Sequence, residues 1–132
     1  MVLAVAARDV FESGLPLHLV PLDATRQVLW TQSDLPGWIS SNSSEGTLAG
    51  DLLQWMLDSW SPEGVYIWDL AAAVQATNPA VCPEESLALS IVTTPGLEQG
   101  RTVVTQVVPN AAVCLDPDTG QVKAITASIL GR

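Results

Sequence analysis

The run Leu17-His18-Leu19-Val20-Pro21-Leu22 constrains this chain more than any other feature. It is extended, apolar and free of acidic or basic residues except its histidine. Runs of this kind form strands buried on both faces of a parallel sheet. Asp23-Ala24-Thr25 then falls at the carboxyl end of that strand. Helical periodicity flanks it. Residues 2–12 read as a helix with Val5, Phe11 and the alanines on one face, stopped at Gly14. Residues 33–46, rich in Ser, Gly, Pro and Asn, read as loop. Thr47 is expected to cap an amphipathic helix carrying Leu48, Leu52, Leu53, Met56 and Trp60 on one buried stripe, which Ser61-Pro62-Glu63-Gly64 breaks. Val65-Tyr66-Ile67-Trp68-Asp69 is a short apolar rise ending in a carboxylate, followed by an alanine-rich helix over 70–76 that Asn78-Pro79 ends. Strands are predicted over 87–93, 102–108 and 111–115, with turn chemistry between them. Residues 121–130 fit a strand or a closing helix equally. Helices alternating with apolar strands give an α/β protein.

A length of 132 residues fits one domain, 1–132. Hydrophobic residues make up 48% and charged residues only 14%, against about 25% charged in ordinary soluble chains. Small domains expose proportionally more surface, so the shortage of charge is an anomaly. The 14 acidic against 5 basic residues give a net charge of −9. That balance excludes nucleic acid as a partner, because phosphate contacts need clustered Lys and Arg. It equally excludes an anionic membrane surface. No stretch reaches the ~20 apolar residues of a membrane span. The start, Met1 to Ala7, is apolar but runs at once into Arg8-Asp9, unlike a secretory signal. A cytoplasmic location is therefore expected, with Cys82 and Cys114 as two buried thiols. Asn42-Ser43-Ser44 matches a glycosylation triplet, which matters only in a secreted protein.

Glycine-rich phosphate loops, nucleophile elbows, CxxC and HExxH are all absent. The single histidine, His18, reads as a buried or edge-strand residue. Asp116-x-Asp118-x-Gly120 opens like a calcium loop, but later oxygen ligands do not follow, so it reads as a β-turn. Asp69 stands where open α/β sheets place ligands, after a strand and at the mouth of a helix. It can serve a hard cation, but position alone favours a helix N-cap over a metal ligand; the same holds for Asp23. Trp68 beside it offers a flat stacking surface for a heteroaromatic ligand. Trp30, Trp38, Trp55 and Trp60 are expected in the core.

The segment Ser13-Gly-Leu-Pro-Leu-His-Leu-Val-Pro-Leu-Asp-Ala-Thr25 with Gln27-Val28 resembles the "sGlp…lvpLDaT…v" stretch of the inosine-uridine-preferring nucleoside hydrolases. Trp68-Asp69-Leu-Ala-Ala-Ala73 with Asn78-Pro79 resembles that family's "(H/W)DplaaA…dP" motif, and Ala6-Ala7-x-x-Val10-Phe11 resembles the helix before the first segment. Pro109-Asn110-Ala-Ala-Val113 is similar to its late "pNv.v" strand. The resemblance implies the C-terminal part of an open, mostly parallel Rossmann-like sheet with flanking helices, lacking the N-terminal half. It implies a ribonucleoside hydrolase that cleaves the N-glycosidic bond to base and ribose with a bound calcium ion. Asp69 matches the family's late metal ligand. Trp68 matches the base-stacking tryptophan of a purine-preferring branch, which makes it both the catalytic and the substrate-binding candidate.

The family's aspartate cluster D-x-D-x-x-x-D-D is absent from the sequence, as is its Asn- and Glu-bearing ribose segment. One carboxylate does not satisfy a cation that takes six to eight oxygens, so the chain alone is expected to be inactive. Its partners are expected to be a nucleoside substrate and either further copies of itself or a missing N-terminal half. The alternative is a non-catalytic remnant or small interaction domain in which Trp68 is core and Asp69 a cap. On the first reading an apolar patch is expected along the truncated sheet edge, with a tendency to self-associate.

Overall fold

The computed structural model describes residues 2–40 and 43–131. In chain order its elements are α1 (Val2–Phe11), β1 (His18–Leu19), α2 (Leu22–Thr25), β2 (Leu29–Trp30), α3 (Leu35–Trp38), α4 (Ser44–Ser59), β3 (Val65–Tyr66), α5 (Trp68–Thr77), β4 (Glu84–Leu87), β5 (Leu89–Ile91), β6 (Thr102–Val104), β7 (Ala111–Cys114) and α6 (Thr119–Leu130). The α/β class, small sheets with flanking helices, is as the sequence predicts. The elements divide into two compact units, residues 1–19 with 84–114, and residues 20–83 with 115–132. None of the described helices is long and apolar enough to cross a membrane.

In the first unit a three-stranded sheet has the order β1-β7-β4, and β5 pairs with β6. Strands β1 and β7 pair in parallel, whereas β4–β7 and β5–β6 are antiparallel. Leu89, Ala111 and Val113 form the core, with Phe11, Leu17, Leu19 and Leu87 packed on it. Asn110 ties the unit together. Its side chain accepts from the Leu89 N–H at 2.8 Å and donates to the carbonyls of Leu89 at 2.9 Å and Phe11 at 3.1 Å. The run 17–22 is not one doubly buried strand: His18 is exposed, and pairing stops at Leu19. Pro21 has no N–H to give a ladder, and its carbonyl instead accepts from Ala24 and Thr25, opening the short helix α2. The predicted strand 87–93 is split in two, and β4 begins at Glu84, in a stretch whose polar residues hid it.

In the second unit β2 and β3 form an antiparallel ribbon, with Trp30 opposite Val65 on its buried side. Trp38 packs edge-on against Trp30, with ring centroids 5.0 Å apart. Part of the expected 33–46 loop is helical, since Thr31 and Asp34 form a reciprocal capping box that leads into α3. Residues 121–130 belong to a helix, α6. Its N-cap is Asp118, which accepts from the Gln121 N–H at 2.9 Å, so the DxDxG stretch is a cap rather than a free turn.

Helix α4 departs most from expectation. Ser43, not Thr47, is its N-cap, accepting from the Gly46 N–H at 3.1 Å. Asn42 of the glycosylation triplet lies outside the described residues, as does Met1. The buried face is Gly46, Gly50, Leu53 and Leu57, while Leu48, Leu52, Trp55 and Trp60 are exposed. Of the four tryptophans expected in the core, Trp30 and Trp38 are there; Trp55 and Trp60 are not. The cause is backbone proximity. A Cβ at Gly46 would run into the backbone oxygens of Leu130 and Trp38, so only glycine permits this approach. Cys82 and Cys114 are fully buried as expected, but they are disulfide-bonded rather than thiols.

Candidate functional site

Trp68 and Asp69 open α5 directly after β3. The ribbon holds β3 through the Trp30–Val65 pair, and α5 is anchored by Ala71, Val74 and Gln75, all buried. Gln75 Nε2 donates to the Cys82 carbonyl at 3.1 Å, which ties the middle of α5 to the chain beyond it. Helices α2 and α6 pack against α5. With its body fixed on these sides, the amino end of α5 projects the two residues outward. Trp68 is 51% exposed, so it is not a core residue.

Asp69 is not the cap either. The helix starts one residue before it, Ile67 is at the N-cap position, and no side chain caps the first turn. Asp69 lies within that turn, exposed, and makes no hydrogen bond or ion pair among the described residues. Its carboxylate is favoured there by the helix dipole and keeps its oxygens available to a ligand. Asp23 takes the corresponding place in the first turn of α2, exposed, beside buried Ala24 and Thr25. The described residues contain no group of three His, Cys, Asp or Glu side chains that could hold a metal ion. Asp23 and Asp69 are therefore not part of a three-ligand metal cluster among the described residues.

His18 belongs to the other unit, on edge strand β1. Its Nδ1 donates to the Glu84 carboxylate at 2.9 Å and 3.0 Å, reaching β4 across β7. The register places His18 and Ser86 on either side of Ala112, and all three line an open cavity of about 500 Å³. Sequence reasoning found His18 but not its partner. A glutamate two residues before a serine on a polar strand carries no signal that a histidine 66 residues earlier would pair with it.

The sequence profile of the family described as "Inosine-uridine preferring nucleoside hydrolase" matches residues 4–124. No curated protein matches the chain. Among solved structures, a plant nucleoside hydrolase superposes with a TM-score of 0.81 at 21% identity, covering 96% of this chain and 44% of its own. A purine-preferring ribonucleoside hydrolase from Gardnerella vaginalis gives 0.80 at 20% identity, with 96% and 43% coverage. An inosine-uridine preferring nucleoside hydrolase from Bacillus anthracis gives 0.75 at 21%, with 96% and 40%. The fold is common to all of them, and this chain spans less than half the length of each.

Proposed function

This chain belongs to the inosine-uridine preferring nucleoside hydrolase family, and on that premise we propose that it is the carboxyl-terminal portion of a ribonucleoside hydrolase acting on purine nucleosides. The observation that carries this reading is the adjacent pair at the start of α5: a half-exposed indole and a carboxylate with no partner among the described residues. Hydrolysis of an N-glycosidic bond passes through an oxocarbenium-like state and needs a base that leaves readily. Trp68 would stack on the purine, holding the leaving group flat. Asp69 would supply one oxygen to a calcium ion, whose chemistry is to bind the ribose hydroxyls and activate water. The described residues do not by themselves fit such an ion, which takes six to eight oxygens. The other ligands would come from polypeptide outside these 132 residues, and the isolated chain would be inactive. The purine preference rests on Trp68 and agrees with the description of the Gardnerella relative. A cytoplasmic location belongs to the same reading, although disulfide-bonded cysteines weigh against it, because disulfides persist in oxidising compartments.

A second reading has its own support. The absence of a three-ligand cluster among the described residues and the exposed apolar face of α4 both suit a non-catalytic interaction module.

The test is a chimera in which residues 4–124 replace the corresponding region of the Gardnerella enzyme, assayed on inosine and guanosine with added Ca²⁺. The chimera is expected to hydrolyse both. Trp68→Ala should lower kcat/KM roughly ten- to hundredfold, since base stacking on an aromatic ring contributes about 1–3 kcal/mol. Asp69→Ala should weaken calcium binding and activity together. Full activity in the Asp69→Ala chimera would remove the ligand assignment. Turnover by the 132 residues alone would refute their dependence on a second portion.

A further inference from the structure

Helix α4 is apolar on two opposite sides. Gly46, Gly50, Leu53 and Leu57 face inward, and at 100° per residue Leu48, Leu52 and Trp55 lie about half a turn away, on the outer face. Their exposures are 61%, 52% and 54%, and Trp60, 67% exposed, folds against Trp55 with ring centroids 5.3 Å apart. The helix cannot roll to bury this stripe, because its inner face closes on backbone at a position that does not admit a Cβ. Helices apolar all round are ordinarily covered on every side, and a contiguous apolar patch of this kind marks a contact site.

Charge selects the occupant. Asp51 and Asp58 flank the stripe on one side, with Glu45 in the first turn and Glu63 just beyond the helix, and no Lys or Arg occurs between Arg26 and Arg101. A second copy of the chain, at net charge −9, would bring like-charged flanks together. We propose that the outer face of α4 docks a cationic amphipathic helix, with the partner's apolar side on Leu48, Leu52 and the Trp55–Trp60 pair and its Lys or Arg side chains against Asp51 and Asp58. The proposal is independent of the hydrolase reading. It follows the helix-in-groove mode of recognition, with aromatic anchors at the centre and charge at the rim.

The test uses the full chain and a labelled Leu/Lys peptide of the same 16-residue length as α4, with leucines at i, i+3, i+4 and i+7. Controls are a scrambled peptide of identical composition and a Leu/Glu peptide. The protein variant is Leu52→Ser with Trp55→Ser, which keeps the charge and alters only exposed positions; circular dichroism and the unfolding midpoint check that it folds. The Leu/Lys helix should bind the wild type, and scrambling, Glu substitution or the double variant should each weaken binding at least tenfold. Equal binding of the ordered and scrambled peptides, or of wild type and variant, would reduce the effect to bulk charge and overturn the proposal, as would no binding at all. A wild-type dimer that the double variant dissociates would assign the face to a second copy instead.

Discussion

Replacing Gly46 by alanine sets two known effects against each other. Helix propensity alone favours alanine by up to about 1 kcal/mol. The packing of α4 opposes it: the new methyl would enter the space of the Leu130 and Trp38 backbone oxygens and lie 2.9 Å from Ser43 Oγ. Those oxygens belong to the ends of α6 and α3 and cannot swing aside as a side chain would. Overpacking of this kind costs about 1–3 kcal/mol. Ser43 would be displaced as well, and with it the bond it accepts from Gly46 N–H and the one it donates to the Leu130 carbonyl at 3.0 Å; a lost N-cap costs about 1 kcal/mol. The packing terms win, and Gly46→Ala should be destabilised by roughly 1–3 kcal/mol, or about 5–10 °C in Tm for a chain of this size. Gly50→Ala is the internal control. Its methyl meets chiefly the side chain of Ile39, which is 43% exposed and can turn away, so its loss should be much smaller. Urea and thermal unfolding followed by far-UV circular dichroism measure all three proteins. A Gly46→Ala protein as stable as the wild type would show that α4 does not approach α3 and α6 as closely as described.

Two further outcomes follow from single contacts. The backbone N–H and then the side-chain amide of Gln121 hold the Asp118 carboxyl below its ordinary value of 3.8, so its contribution is present above that pH and is lost as the pH falls through the lowered value. Unfolding midpoints across the acid range should therefore show a wild-type advantage over Asp118→Asn that shrinks below pH 3.8, and a pH-independent difference would contradict it. Lys123 Nζ lies 2.9 Å from Asp34 Oδ2 and 5.6 Å from the Trp30 ring centre. Lys123→Met should cost about 1–2 kcal/mol in denaturant titration, and pairing it with Asp34→Asn should recover part of that loss.

The site was more legible than its surroundings. Trp68-Asp69 could be placed at a strand end and helix mouth from local pattern alone, because a short apolar rise followed by an alanine-rich segment has few other solutions. What escaped was anything that depends on a distant partner. Glu84 is meaningful only because β7 brings β1 and β4 to its two edges. Asp118 reads as a turn until α6 supplies the N–H it caps. The length of the first strand was overestimated because hydropathy does not register that Pro21 has no donor for a ladder.

Helix α4 shows why periodicity alone misplaces a face. The rule that large apolar residues mark the buried stripe assumes that a helix has one apolar side. Here Leu48, Leu52 and Trp55 carry the larger signal, and the glycines at 46 and 50 look like weak points. Yet close helix packing selects the smallest residue, so the glycines mark the inner face and the tryptophan marks the outer one. This also accounts for the composition. A chain with 14% charged residues need not hide its surplus of apolar groups in an oversized core. It carries them outside, on α4 and again at Leu97, Val104, Val107 and Val108. A surface of that kind is stable in water only at a cost that a partner removes, so the low charge count and the two-faced helix are one property of the chain. Making the outer face polar, with Leu52 and Trp55 made serine, should therefore raise solubility without lowering the unfolding midpoint; a lowered midpoint would mean that the stripe contributes to this chain's own core.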